Sequence, residues 1–450
     1  MTQTKRQSLD MTRGEPARLL ILFALPMLIG SVFQLMYNMV DTIVVGRHVG
    51  LEALASIGAT GSTMSFLMMA GNGLTNAASI VISQAEGAKQ EDRLRRCVSH
   101  TVYVTLTASL VVGLLAFFGA RPLMRLLGTP ANIIDGSVTY IRIAGGLTVA
   151  LQIYNGATAI LRAIGDSKTP LYFLILSSLL NVALDLLFVI RFQAGVAGVA
   201  LATVISQGVS ATMCILYMLR RYPRLRPARE DWSYDGGLIR EYLGLGLPMI
   251  AQSMALSVGM FAITAVINSH GSDVVAAYTI GGKVEQLAVV SFSSMAFSFS
   301  VYSGQNFGAS RFDRIREGLR KGLMIICSLA VVSGVVMLLF ARPVAMIFMD
   351  KPDETVLGEA VHMVRTEALL YAALGAIWTV NSALRGMSLI KVTLVSSAVE
   401  LVSKIGFSLL LPVFFGTLGI WMAAPIGWVL GLIPSAVYLA RWLRRHMQTA

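Results

Sequence analysis

Charged residues are scarce in this chain, and that scarcity argues against a soluble protein. Asp, Glu, Lys and Arg make up 13% of its 450 residues. A typical soluble domain carries about 25%. A chain of this length with so little charge cannot cover a water-exposed surface in the usual way.

Cysteine is rare as well, and the motifs of catalysis and nucleotide binding are missing. Cys97, Cys214 and Cys327 are an odd number without metal-ligand spacing, so we interpret them as packing residues. We find no phosphate-binding glycine loop, Walker-type lysine, paired His/Cys ligands or nucleophile–base constellation. We therefore expect no enzymatic activity, no cofactor and no ATP-driven transport by this chain alone.

What the chain has in abundance is hydrophobic residues, at 55%. They fall into runs near the length of about 20 residues that crosses a hydrocarbon core as a helix. Twelve spans are predicted, at about 17–45, 52–80, 97–119, 137–160, 170–190, 194–218, 241–267, 275–302, 319–340, 361–384, 392–412 and 417–440.

The chain is also a duplication. The segment 84–88, QAEGA, returns at 305–309 as QNFGA, and Ala-Arg-Pro at 120–122 returns at 341–343. Six spans in each half agree with this repeat, so we predict an N-terminal lobe at 1–225 and a C-terminal lobe at 226–450. Transporters place their binding sites between such repeated lobes.

Basic residues predict the orientation. Lys and Arg cluster before span 1, after each even-numbered span and at 220–240, the polar linker between the halves. By the positive-inside rule both termini are cytoplasmic. The net charge of +12 is then mainly a topology signal, with attraction to anionic lipids as a secondary effect, and we expect no nucleic-acid partner.

Two acidic residues in the first half lack a basic residue at comparable depth. A rise of about 1.5 Å per residue places Asp41 of span 1 and Asp185 of span 5 in the outer half of the membrane, near Thr203 of span 6. Asn181 shares a helix face with Asp185 at i, i+4 spacing. We predict that these four side chains form a site that takes up a proton or a cation such as Na⁺. The alternative is a purely structural role, in which Asp41 caps backbone and Asp185 bonds Asn181.

The second half balances its membrane charges. Lys283 and Glu285 lie in span 8, and Glu400 and Lys404 lie in span 11 at i, i+4 spacing. A structural salt-bridge cluster is one interpretation. A cation or substrate contact at Glu285 or Glu400 is the other.

Further polar residues within spans are candidates for lining a central substrate cavity, although polar residues also join helices. They are Gln34, Tyr37, Asn38, Gln152, Asn155 and Gln252. Pro26 and Pro248 predict bends in spans 1 and 7, which serve either as hinges or as ordinary irregularities.

The motifs at 25–26, 37–41, 44–47, 53–58, 161–166 and 305–309 make the chain resemble multidrug and toxic compound extrusion (MATE) transporters. The resemblance covers both repeats. It implies an all-α membrane protein of two six-helix bundles with a V-shaped central cavity. It also implies antiport of Na⁺ or H⁺ against cationic, amphipathic compounds.

Within that family the sequence resembles the DinF-like branch. That branch places its cation and proton site on an Asp of span 1, an Asn-x-x-x-Asp of span 5 and a Thr of span 6. Asp41, Asn181, Asp185 and Thr203 match this pattern. The other main branch uses acids of spans 7 and 10, where this chain has only Glu241 and Glu367, near the span ends.

We therefore expect a secondary active antiporter that exports cationic amphipathic drugs by alternating access. It would be a monomer in a bacterial plasma membrane. The first alternative is a related flippase for lipid-linked oligosaccharides, which would need a cavity lined with Arg and Lys. A channel is a more distant alternative.

Overall fold

The computed structural model describes residues 8–349 and 353–448, excluding the side chains of Asp41, Thr42 and Gln448. Regular secondary structure in this part of the chain is entirely helical, which confirms the predicted all-α class. The helices are α1 Pro16–His48, α2 Leu51–Gly87, α3 Glu91–Leu126, α4 Ala131–Tyr140, α5 Val149–Ala163, α6 Lys168–Leu186, α7 Gly195–Arg221, α8 Gly236–Asn268, α9 Ser272–Gly308, α10 Phe312–Met346, α11 Glu354–Ala368, α12 Tyr371–Gly386, α13 Ile390–Leu410, α14 Pro412–Phe415 and α15 Thr417–Gln448.

Ten of the described helical segments are long and apolar enough to cross a membrane. Two more spans are broken: α4, continued by a π-helix at Ile141–Gly145, meets α5 at 44°, and α11 meets α12 at 53°. Counting each broken pair as one span gives twelve, as predicted. Helices suit these apolar runs because a helix satisfies its own backbone hydrogen bonds, which lipid cannot do.

A glycine of a neighbouring helix packs closely against the break in each broken span, in the same way in both halves. A Cβ on Gly113 of α3 would lie 2.9 Å from the carbonyl oxygen of Gly146, and one on Gly334 of α10 would lie 2.9 Å from that of Ala368. Both carbonyls belong to the break in the neighbouring span. The duplication therefore extends from sequence motifs to a backbone contact that leaves no room for a side chain.

The described chain separates into two compact units. The first contains the described residues up to Asp10 and Leu25–Ile250; the second contains Met11–Ala24 and the described residues from Ala251 onward. Thus α1 and α8 each begin in one unit and end in the other. Pro26 and Pro248 lie close to these two changes, where each removes a hydrogen bond from its helix.

In the first unit, the segment before α8 is held along its length by hydrogen bonds and ion pairs. We call residues 222–235 the strap. Tyr222 donates to Asp166 Oδ2 at 2.8 Å, and Arg224 forms two bonds of 2.8 Å to the carboxylate of Glu86. Asp231 accepts from Arg95 Nε at 3.1 Å. The predicted polar linker is therefore a fixed part of the first unit.

The second unit holds the segment before α1 in a comparable way. Met11 is completely buried; its amide donates to Gln305 Oε1 at 3.0 Å, and its carbonyl accepts from Asn306 Nδ2 at 2.9 Å. Arg314 Nη2 donates to the carbonyl of Gly14 at 2.9 Å. The repeated motif at 305–309 thus supplies the side chains that hold the start of the chain.

The three cysteines have no disulfide partner. Cys97 and Cys214 are buried and Cys327 is half-buried. These positions agree with the interpretation that they are packing residues.

Candidate ion-coupling site

Helix α6 presents an amide and a carboxylate to α7, against which it packs. Asn181 and Asp185 lie one helical turn apart, and they are 1% and 0% exposed. The i, i+4 spacing places both on one face of α6, as predicted from the sequence. An apolar helix thus carries two polar groups into the interior of the first unit.

The amide of Asn181 can be oriented in two ways. In one, Nδ2 donates to Thr203 Oγ1 at 3.3 Å, but the amide oxygen then faces only acceptors. Turned over, Nδ2 donates to Asp185 Oδ2 at 2.9 Å and to the Tyr37 hydroxyl at 3.1 Å, while the oxygen accepts from the Thr203 amide at 3.1 Å. We adopt the second orientation because it satisfies both ends of the group.

The site therefore draws on three helices. Tyr37 comes from α1, the Asn181–Asp185 pair from α6, and Thr203 from α7. Thr203 is half-buried, and its hydroxyl donates to the carbonyl of Val199 at 3.1 Å, so in the adopted orientation of Asn181 the lone pairs of the hydroxyl oxygen face a ligand rather than the Asn181 amide. Tyr37, predicted from the sequence to line a substrate cavity, is half-buried and contacts Asn181.

The predicted partner from α1, Asp41, has a side chain outside the described residues. Its backbone lies in α1, one turn beyond Tyr37. Its part in the site stays a prediction.

The chemistry of the described groups suits a proton or a small hard cation. A buried carboxylate is costly unless it is protonated, hydrogen-bonded or close to a positive charge. Carboxylate, amide, hydroxyl and carbonyl oxygens are the ligands that hard cations accept. Among the described residues, no group of three or more His, Cys, Asp and Glu side chains could hold a metal ion.

The other predicted cavity residues of the first unit lie in different surroundings. Gln34 and Asn38 are exposed on α1, and Asn155 is half-buried on α5. Gln152 is 1% exposed and packs against Gly71 so closely that a Cβ there would collide with its amide. Its Oε1 has no hydrogen-bond partner among the described residues. Gln152 is thus a buried acceptor rather than part of an open wall.

Gln252, the predicted cavity residue of span 7, joins helices within the second unit. It is 5% exposed, and its Nε2 donates to the hydroxyl of Ser397 and to the carbonyl of Thr393. Its Oε1 accepts from Arg385 Nη2 at 3.2 Å. Every polar atom of the amide is therefore engaged inside the unit.

The charges of the second unit divide into an ion pair and separate groups. Lys404 Nζ lies 2.6 Å from Glu400 Oε1 and 5.6 Å from the centre of the Trp428 ring. Glu285 also interacts electrostatically with Lys404. Lys283 instead lies over the ring of Phe348, at 5.7 Å. Glu400 and Lys404 therefore meet as their spacing predicts, whereas Lys283 is exposed and lies apart.

Glu367 is a buried acid whose position the sequence analysis misjudged. The sequence predicted a place near the outer end of span 10, but Glu367 is 5% exposed at the end of α11, beside the break. One turn earlier, Met363 packs against Gly281 of α9, so Glu367 lies near Glu285, one turn further along α9. Glu367 Oε2 and the Tyr371 hydroxyl lack hydrogen-bond partners among the described residues. The position of Glu367 was misjudged because the break between α11 and α12 lies inside an apolar run, where the sequence gives no clear signal for it.

Comparison with known proteins places this arrangement in context. The family model MatE matches the chain twice, at residues 26–187 and 248–410. The probable multidrug resistance protein YpnP of Bacillus subtilis (strain 168) is 28% identical over 441 residues, which cover 96% of this chain and 97% of that protein. The probable multidrug resistance protein NorM of Thermotoga maritima is 22% identical over 378 residues, covering 82% and 79%.

Solved structures share the fold. A multidrug resistance MATE family transporter of the MOP superfamily in an outward-facing conformation matches with a TM-score of 0.91 at 21% identity, covering 100% of both chains. A MOP superfamily transporter from Pyrococcus furiosus matches with a TM-score of 0.91 at 22% identity, covering 99% of this chain and 100% of that one.

Proposed function

The chain belongs to the MatE family, and we propose that it is a secondary active antiporter that exports cationic, amphipathic compounds in exchange for H⁺ or Na⁺. Two kinds of observation support the proposal. The relatives are described as multidrug resistance and export proteins. The first unit also buries an Asn181–Asp185 pair beside Tyr37 and Thr203, inside helices that span a membrane.

The buried carboxylate is the observation that carries the coupling proposal. Asp185 is completely buried, so its charge state and its surroundings depend on each other. On the outer side the proposed site of Asp41 and Asp185 loads H⁺ or Na⁺, which changes the contacts of Asp185 and alters the packing of α1. This releases the exported compound. On the inner side the ion leaves and a new substrate molecule binds.

The direction of transport then comes from the ion gradient. Net uptake of H⁺ or Na⁺ is exchanged for net export of the organic cation. No covalent intermediate is required, and the proposal includes no enzymatic step. The oxygen-only donor set accommodates either ion, so the coupling ion has to be identified by transport under separate gradients.

We further propose that the protein is a monomer in a bacterial plasma membrane with both termini cytoplasmic. The clusters of Lys and Arg before α1, in the strap and in the last turns of α15 support this orientation. The two matches to the family model, at 26–187 and 248–410, support the proposed duplication into halves 1–225 and 226–450. The pattern Asp41, Asn181, Asp185 and Thr203 supports placement in the DinF-like branch.

The function is tested by efflux of a fluorescent organic cation from proteoliposomes. An inwardly directed proton gradient, an inwardly directed Na⁺ gradient and no gradient are compared, with protein-free liposomes as the control. Export that depends on only one of the gradients identifies the coupling ion. Wild-type protein that moves the dye no faster than protein-free liposomes under either gradient overturns the proposal.

A further inference from the structure

A completely buried histidine joins α3 to the strap. His100 lies in the third turn of α3 and is 0% exposed. The strap packs against this part of α3. The Tyr103 hydroxyl donates to the carbonyl of Trp232 at 2.7 Å, and the Ser99 hydroxyl donates to the carbonyl of Asp231. His100 is therefore enclosed by its own helix and by the segment that precedes α8.

The two ring nitrogens of His100 have partners that require opposite roles. Nδ1 lies 2.8 Å from the carbonyl oxygen of Arg96, which can only accept a hydrogen bond. Nε2 lies 3.0 Å from the backbone amide of Asp235, which can only donate one. These partners assign the neutral tautomer with its proton on Nδ1. The lone pair on Nε2 is thus the group that holds Asp235.

Asp235 in turn starts helix α8. Its Oδ1 accepts from the amides of Gly237 at 2.9 Å and Leu238 at 3.1 Å, and its carbonyl accepts from that of Ile239 at 3.1 Å. The hydrogen bond from Leu238 lowers the pKa of the Asp235 carboxyl, so the group remains ionised near neutral pH. The first turn of α8 therefore depends on a residue whose backbone is held by His100.

We propose that His100 is a proton switch that controls the attachment of the first turn of α8 to the first unit. Protonation places a hydrogen on Nε2, which then faces the hydrogen of the Asp235 amide. The bond between them is lost, since both groups are donors. Histidine is the side chain that most often serves as a pH sensor in proteins, and the loss of this contact is the readout of proton uptake here.

The charged groups around His100 determine how the protonated ring is accommodated. Arg96, on the same helix, opposes a positive ring. From the strap, the carboxylates of Asp231 and Asp235 favour it. From α8, Glu241 is paired with Arg93 at 2.9 Å, and Tyr242 donates to the carbonyl of Cys97. Asp235 is the acid with a bond to the ring, so its carboxylate is the natural acceptor for the new Nε2 hydrogen.

Accepting that hydrogen draws the Asp235 carboxylate away from the amides of Gly237 and Leu238. The cap of α8 is then weakened together with the backbone bond. Because α8 begins in the first unit and ends in the second, a change in its first turn acts on a helix that both units share. In the proposed orientation the switch responds to cytoplasmic pH, and it does not depend on which ion or compound is transported.

Amide hydrogen exchange measured by mass spectrometry tests the switch. The purified full-length protein is compared at pH 7.5 and 5.5, with exchange corrected for the intrinsic effect of pH. We expect the amides of residues 235–238 to lose protection at the lower pH by about fivefold or more, as expected for the loss of one ordinary hydrogen bond. The amides of α9 serve as an internal reference.

Two variants separate the switch from general effects of acid. His100→Gln keeps a side-chain acceptor but does not titrate, so protection at 235–238 should no longer depend on pH. His270→Gln is the matched control. His270 also follows a serine, and its Nδ1 also lies 2.8 Å from the carbonyl oxygen four residues earlier, but it is exposed. This variant should behave as wild type.

Unchanged protection in the wild type between the two pH values overturns the proposal. So does an equal pH-dependent loss in His100→Gln. If His100→Gln fails to fold, wild type and His270→Gln still test the proposal. Both must lose protection at low pH within residues 235–238 and not in α9, and a loss spread over α9 as well overturns the proposal.

Discussion

The side-chain amide of Asn181 lies 2.9 Å from Asp185 Oδ2 and 3.1 Å from the Tyr37 hydroxyl. One amide thus joins the carboxylate of α6 to α1, the helix that also carries Asp41. A change in the charge state of Asp185 alters the hydrogen bond to Asn181 and, through it, the contact with α1. This relationship connects ion binding to helix packing.

Removing the side-chain amide of Asn181 should weaken the coupling between ion binding and efflux. In Asn181→Ala, Asp185 Oδ2 loses a buried donor, at a cost of about 1–3 kcal/mol. We expect weaker gradient-driven efflux and a lower unfolding temperature. Ser178→Ala on the same helix is the control, since its hydroxyl only donates to the carbonyl of Leu174. Equal efflux in both variants would remove Asn181 from the coupling mechanism.

The glycines at the broken spans should not tolerate a methyl group. A Cβ at Gly113 or Gly334 would lie 2.9 Å from a backbone oxygen, so Gly113→Ala and Gly334→Ala should each destabilise the protein by about 1–3 kcal/mol. Gly58→Ala in α2 is the control, because nothing lies within 4 Å of the added atom. Thermal unfolding in detergent measures the effect. Equal unfolding temperatures for Gly58→Ala and Gly113→Ala would contradict the close contact.

Variants at the first attachment of the strap, between Tyr222 and Asp166, should lose stability by different amounts. Asp166 accepts hydrogen bonds from the Tyr222 hydroxyl and from the amide and hydroxyl of Thr169. Tyr222→Phe removes one of these bonds and should cost about 1 kcal/mol, whereas Asp166→Ala removes all of them and should cost more. Thermal unfolding of the two variants, with exposed Tyr234→Phe as the control, should give this order. The reverse order would contradict the assigned network.

The charged residues of the second unit should affect stability rather than ion coupling. If coupling takes place at Asp185, Glu367→Gln should leave gradient-driven efflux near the wild-type level. Lys404→Met, by contrast, leaves Glu400 buried without its partner and should lower stability by about 3–5 kcal/mol. Loss of ion coupling in folded Glu367→Gln would transfer the coupling site to the second unit, where Glu285 lies near Glu367.

The sequence predicted the architecture well because its signals are local. Apolar runs and their repeat predicted twelve spans, and i, i+4 spacing predicted the Asn181–Asp185 and Glu400–Lys404 contacts. The breaks at Gly146 and Ala368 lie inside apolar runs, so periodicity did not reveal them. The burial of Glu367 was missed for that reason.

Other features depend on contacts between distant parts of the chain. Nothing in the local sequence of α1 or α8 indicates that each helix is divided between two units near its proline. The fixed strap was also hidden, because a segment rich in Arg and Pro is typical of a solvated linker. Its attachment depends on Glu86, Arg95, His100 and Asp166, which come from other elements.

The most direct test of the account is gradient-driven efflux of an organic cation by Asp185→Asn in proteoliposomes, beside Asp41→Asn and the exposed control Asp273→Asn. Asparagine keeps the size of the side chain but cannot exchange a proton or balance a cation. With coupling at Asp185 and Asp41, we expect both membrane variants to fold and bind the dye but to lose gradient-driven export, while Asp273→Asn transports as wild type. Full coupled transport by folded Asp185→Asn would contradict a coupling site in the first unit.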